Sequence, residues 1–173
     1  AFDVTVFRGE EKDPEERRQK DQVVRNVRVN QNTLGVAVPK SMSGRCDKLG
    51  RKAKLLRAQV QNPEAVELAV TKALDWLTLN QNDDGSWGKT AHGAMTGFAL
   101  LCYLGHCDLT DSAKYGEAVS NGIKYLVELG DRKNGWLYTT NNRHGAAYAH
   151  GIATYAMAES YSMTEKEFIL PVL

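Results

Sequence analysis

The sequence predicts an all-α protein assembled from helical hairpins that repeat along the chain. Three observations carry the prediction. From Asn62 onward apolar residues recur at three- and four-residue spacing, the stripe of an amphipathic helix. Two later stretches, residues 90–105 and 144–161, are apolar almost all round and rich in Gly and Ala. Finally, one half of this pattern repeats the other at an offset of 49 (Ala69 to Ala118) growing to 54 (Gly97 to Gly151), about the period of stacked supersecondary units too small to bury their own apolar faces.

Residues 1–60 have a different character. FDVTVF and NVRVN alternate like short strands, EEKDPEERRQKDQ is a charge run, and LGVAVPKSMSGRCDKLG is punctuated by Gly and Pro. None of these can bury much surface alone, so the region reads as an extended or poorly ordered arm. The basic stretch from Arg45 to Arg57 reads as a solvated linker or the start of a short helix, with a phosphate or anionic-lipid contact as the functional alternative.

The repeat domain follows, over residues 61–173, with units at about 62–110 and 111–165 and the start of a third. Asn62-Pro63-Glu64 supplies an N-cap, a first-turn proline and an acid at the positive helix end. Val66, Ala69, Val70, Ala73, Leu74 and Leu77 then form one apolar stripe. The loop NQNDDGSWG ends the helix with turn formers. A second helix spans about 90–105; its small residues permit close neighbours, and its apolar circumference requires burial on most faces. A third runs from about Asp111 to Leu129, capped by Asp111 or Ser112. A fourth covers about 144–161, and a fifth is predicted to begin at Thr164, with Glu167 completing a capping box. Amphipathic helices can line an exterior while small-residue apolar helices must lie inside, so the natural closure is two concentric helix layers.

Composition bounds the function. A 42% apolar and 25% charged composition is that of a globular protein. The net charge of +1 gives no overall field for nucleic acid, which is not expected as a partner. No apolar run is long enough to span a bilayer. Ala1 rather than Met opens the chain, which suggests a trimmed N-terminus. Cys46, Cys102 and Cys107 form no CxxC pair and leave an odd count, which argues against both a disulfide scaffold and a Cys-rich zinc module. Cys102 and Cys107 read as small buried hydrophobes.

The segment Trp76-LTLN-Gln81-NDD-Gly85-Ser-Trp87 resembles the QW motif of squalene and oxidosqualene cyclases, members of the α/α-toroid superfamily that also includes terpenoid cyclases and protein prenyltransferases. The second unit keeps Gly135-Trp136 but has Tyr125 for the first aromatic and Gly130 near the glutamine position, a degenerate copy. Tyr148-Ala-His150-Gly-Ile-Ala-Thr resembles the prenyltransferase and squalene oxidase repeat proteins common in bacteria. The resemblance covers about residues 62–170 and implies an α/α-toroid, here a partial ring whose remaining repeats belong to a longer parent chain. In such a motif a glutamine amide satisfies orphan backbone groups at a helix end, Gly allows a turn with positive φ, and the Trp plane covers the junction.

What the resemblance implies for activity is narrower. Squalene-type cyclases protonate their substrate with a DxDD cluster; Asp83-Asp84 is the only tandem pair in a comparable setting, and it sits in the turn. Prenyltransferase β subunits bind zinc through an Asp-x-Cys pair and a later His. His150 is similarly placed, but no Asp-x-Cys precedes it, so no metal, cofactor or catalytic residue is expected. His92 and His150 read as equivalent positions, each just before the buried part of its helix. With Tyr148 and Tyr155 they are the expected lining of any pocket, suited to an isoprenoid or other apolar ligand through their π-faces. The expectation is a non-catalytic scaffold or binding module engaging an apolar ligand or a protein partner. The alternative is a fragment of an isoprenoid enzyme whose catalytic acids lie in missing repeats.

Overall fold

The structure, a computed structural model, describes residues 38–133, 135–139 and 143–173, with side chains from residue 145 in the last of these. FDVTVF, the charge run and NVRVN lie outside the described residues. Among the described residues there is no strand: the elements are α1 (Ser43–Cys46), α2 (Lys48–Arg57), α3 (Pro63–Leu79), α4 (His92–His106), α5 (Gly116–Arg132), α6 (Arg143–Thr164) and a terminal 3-10 segment, Glu167–Val172. The protein is all-α, and its helices repeat.

Local chemistry sets the helix boundaries. Asn62 Oδ1 accepts the Ala65 N–H at 2.9 Å, so α3 starts where the Asn-Pro-Glu triplet predicts. The apolar α4 is bounded by Ala91 and Cys107, both in the left-handed region, and Cys107 ends it as a glycine would. α5 begins at Gly116, several residues later than predicted, because Ser112 and its neighbours form a turn: the Gly116 N–H bonds the Ser112 carbonyl. α6 runs on to Thr164, whose hydroxyl donates to the Ser160 carbonyl. The predicted capping box at Thr164 does not form. Glu165 takes a positive φ of 50°, which breaks the helix, and Pro171, with no N–H to donate, accompanies a 3-10 segment rather than a fifth α-helix.

α4 and α6 lie along one another at the centre. A Cβ on Gly97 would fall 3.1 Å from the Ala153 Cα, so the two backbones touch through a glycine and an alanine. α5 packs across them with Val119, Ile123 and Leu126 fully buried, beside Leu100, Tyr103 and Met157. The two greasy segments are therefore interior, as expected, and each keeps one open stripe (Met95, Phe98 and Cys102 on α4; Tyr148, Gly151 and Tyr155 on α6).

Three expectations are corrected. Residues 43–57 do not continue the arm: they are helical, which agrees with the short-helix reading of the Arg45–Arg57 stretch and not with a linker, and α1 and α2 pack against α4 and α3. The physical reason is long-range. Cys46 is disulfide-bonded to Cys107, with Cα atoms 5.0 Å apart, and Arg45 forms a bidentate pair with Glu159 at 2.6 and 3.1 Å. The reading of the cysteines fails with it, since Cys107 is cross-linked and Cys102 is exposed. The stripe on α3 is also less covered than expected: Leu74 is buried and Leu77 partly so, while Val66, Ala69, Val70 and Ala73 remain exposed.

Candidate functional site

The loop between α3 and α4 is held by its polar side chains. Gln81 Nε2 donates to the Gly85 carbonyl and to the Ala118 carbonyl of α5, both at 2.9 Å, and so ties the loop to the next unit. Gly85 turns the chain at φ +85°, and its bare Cα faces the Asn121 carbonyl. Trp87 is buried, its Nε1 donates to the Leu77 carbonyl at 2.7 Å, and its ring lies over Gly122. Trp76, by contrast, is 61% exposed.

His92 belongs to this loop's wiring. Ser86 Oγ, fully buried, lies 2.6 Å from Asp84 Oδ1 and 3.0 Å from His92 Nδ1, and Asn82 donates to the same hydroxyl. Burial pushes the Asp84 carboxyl up, but hydrogen bonds from the Ser86 hydroxyl and backbone N–H outweigh it and leave its pKa below the usual carboxylate range. Serine is the middle member of the chain, and its proton goes to Asp84. The set fixes a turn; it does not activate a nucleophile through histidine.

His150 stands at the second loop. Its Nδ1 accepts the Leu137 N–H at 3.3 Å, and its ring lies 4.8 Å from that of Trp136, which is 51% exposed and packs edge-on against Tyr138. The structural counterpart of His150 is Thr96 rather than His92. Thr96 Oγ1 accepts the Trp87 N–H at 3.1 Å, the same service to a Gly-Trp loop, and each residue directly precedes the equivalent glycine, Gly97 or Gly151. The glycine register was the available signal. Gly135 keeps the positive φ of Gly85, at +87°, but with open space around it.

No family model, curated protein or solved structure matches the chain.

The four expected lining residues do not converge. Among the described residues no hydrogen bond or ring contact joins His92 to His150, or either to Tyr148 or Tyr155. Tyr148 is 76% exposed. Tyr155 is half-exposed, and its hydroxyl donates to Glu159. Glu159 is buried, and the Arg45 guanidinium beside it, aided by the Tyr155 hydroxyl, holds its carboxyl below the ordinary range; the same contact raises the Tyr155 phenol. This Arg45–Glu159–Tyr155 cluster and a second one were missed from sequence. In the second, His106 places Nδ1 2.7 Å from Asp108 Oδ2 and Nε2 2.9 Å from Glu67 Oε1, with Arg51 also on Glu67 at 3.1 Å. Both clusters join α1–α2 to the repeat helices, across separations no local pattern encodes. Among the described residues, no three His, Cys, Asp or Glu side chains form a group suited to a metal ion.

Proposed function

We propose that this chain is a helical-repeat domain of the squalene-cyclase-like, prenyltransferase-repeat kind, part of an α/α-toroid, working as a non-catalytic scaffold or binding module. One observation carries the reading: among the described residues, the acid and the histidines at the two Gly-Trp loops are committed to architecture. Asp84 and His92 are held through Ser86, and His150 supports the Leu137 backbone and packs at a tilt against Trp136. The Gln81–Gly85–Trp87 loop, bonded to α5 of the next unit, supports the likeness to a QW motif, whose role is to join successive helix pairs.

The test is metal analysis and turnover on the purified chain. The expected result is no stoichiometric zinc and no conversion of squalene or of a prenyl diphosphate. One tightly held zinc per chain, or measurable turnover abolished by His150→Ala, would overturn the proposal.

A second reading rests on the open stripes of the central helices. Phe98, Tyr148 and Tyr155 are each 48% exposed or more, and aromatic faces in such a setting suit an isoprenoid. Under that reading the chain is part of an isoprenoid enzyme whose catalytic acids lie in further repeats.

A further inference from the structure

α1 and α2 lie on the repeat helices without entering their core. Neither helix has a buried residue, and the main core, which includes Leu74, Trp87, Leu100 and Met157, draws no side chain from them. What α1 encloses is a separate, smaller cluster. Leu104 and Met163 are fully buried and Leu109 nearly so, and the apolar side chains packed against them are Val38, Met42, Cys46 and Cys107. Arg45 Nη1 also lies 3.7 Å from the Met163 sulfur. Three of the four roofing residues precede α2, so the roof is the stretch that carries α1.

The fastenings of this stretch are polar or covalent. Arg45 pairs with Glu159 of α6, and Arg51 and Lys52 pair with Glu67 and Glu64 of α3. The Lys52–Glu64 pair is exposed on both sides, and such pairs contribute little. The covalent fastening is the Cys46–Cys107 bond. Both of its cysteines are partly exposed, so a reductant can reach them. The same stretch also closes one end of the open stripe on α6. Arg45 shares Glu159 with the Tyr155 hydroxyl, and Glu159 and Met163 follow Tyr155 at four-residue steps along one helix face. Tyr155 is open; Glu159 and Met163, next to Arg45, are buried.

We propose that residues 38–57 are a redox-gated strap: with the Cys46–Cys107 bond intact they stay seated over Leu104, Leu109 and Met163, and reduction of that bond by a dithiol lets them lift, prolonging the open stripe of α6 from Tyr155 through Glu159 to Met163. The exchange balances. One thiolate of the dithiol attacks a sulfur of the pair and displaces the other; the second thiol then displaces the first sulfur. Two electrons and two protons pass to Cys46 and Cys107, and the reductant leaves as a disulfide. Because the strap gives no side chain to the main core, the repeat helices stay in place while it opens, as a locally opening unit does. Lifting takes Arg45 away from Glu159, but it also admits water to the carboxylate, so no buried charge is left without a partner. The gate does not depend on whether the domain is catalytic or on what the stripe binds.

Met163 and Met157 are both fully buried, one beneath the strap and the other in the main core. Their oxidation by dilute hydrogen peroxide therefore separates a lifted strap from a lost fold. In the full chain carrying Cys46→Ser and Cys107→Ser, Met163 sulfoxide is expected to form at least about tenfold faster than in the disulfide-bonded parent, with Met157 unchanged. Hydrogen exchange read by mass spectrometry on the parent, with and without dithiothreitol, repeats the test without substitution. On reduction the amides of α2 lose protection by at least about tenfold and those of α5 keep theirs; reoxidation restores the first. Met163 and α2 equally protected with and without the bond would overturn the proposal. So would Met157 and α5 opening together with them, because the strap would then be inseparable from the rest of the fold.

Discussion

Gly85 and Gly135 occupy equivalent places in the two Gly-Trp loops and share a left-handed backbone, at φ +85° and +87°. Their surroundings differ. An added Cβ on Gly85 would lie 2.5 Å from the Asn121 carbonyl oxygen and 2.9 Å from its carbon, whereas on Gly135 it would meet nothing within 4 Å. Alanine at either position incurs the left-handed strain of an L residue, roughly 1–2 kcal/mol. Only at Gly85 must the loop also move away from α5, an overpacking term of typically 1–3 kcal/mol. Gly135→Ala should therefore lose about 1–2 kcal/mol and Gly85→Ala roughly 2–5 kcal/mol. Equilibrium urea unfolding reads both: with a slope of about 2 kcal/mol per molar, the Gly85→Ala midpoint should fall by about 1–2.5 M and the Gly135→Ala midpoint by about 0.5–1 M. Equal losses would refute the reasoning, because the packed seam between the first loop and α5 would then contribute nothing that the open second loop lacks.

Two further outcomes follow from the contacts of α1. The Cys46–Cys107 bond joins residues 61 apart, and closing a loop of that length limits the unfolded chain by an amount worth up to about 4 kcal/mol. Cys46→Ser should lower the urea midpoint accordingly, and reductant should move the parent but not the variant; a parent midpoint indifferent to reductant would count against the pairing. The second outcome concerns acid. The Arg45 hydrogen bond, then the Tyr155 hydroxyl, lower the folded pKa of Glu159 below its unfolded value. A depressed carboxylate pKa stabilises the fold above the unfolded value of about 4.3, and that contribution is lost as pH falls through the folded value. The stability gap between the parent and Glu159→Gln should thus be widest near neutral pH and narrow towards pH ~3. A gap that stays constant across that range would contradict the assignment.

The helices of the repeat domain were legible because their signals are local. Asn62-Pro63-Glu64 marks the start of α3, and the small apolar residues of α4 and α6 mark interior helices whose backbones meet at Gly97 and Ala153. The turn formers of the Gln81–Trp87 loop are local signals of the same kind. What stayed hidden depends on distant partners. Nothing in SGRC or KLGRKAKLLR shows that Arg45 will find Glu159, or that Cys46 will find Cys107, so the sequence leaves a solvated linker and a short helix both open there. The open stripe of α3 was unreadable too, since periodicity reports which face is apolar and not whether a neighbour covers it. The pairing of His92 with His150 failed at the second loop, where the offset changes from 49 to 54 and only the register of Gly97 and Gly151 puts Thr96 opposite His150.

The bond between Cys46 and Cys107 has a topological consequence. It turns the chain from Cys46, the last residue of α1, through α2, α3 and α4 to Cys107 into one covalent ring, with the turn at Gln59, left-handed and exposed, as part of its circumference. A peptide bond hydrolysed at that turn opens the ring without dividing the molecule. The severed N-terminal piece keeps its tether at the tip of α4, beside the Arg45–Glu159 pair that orients it.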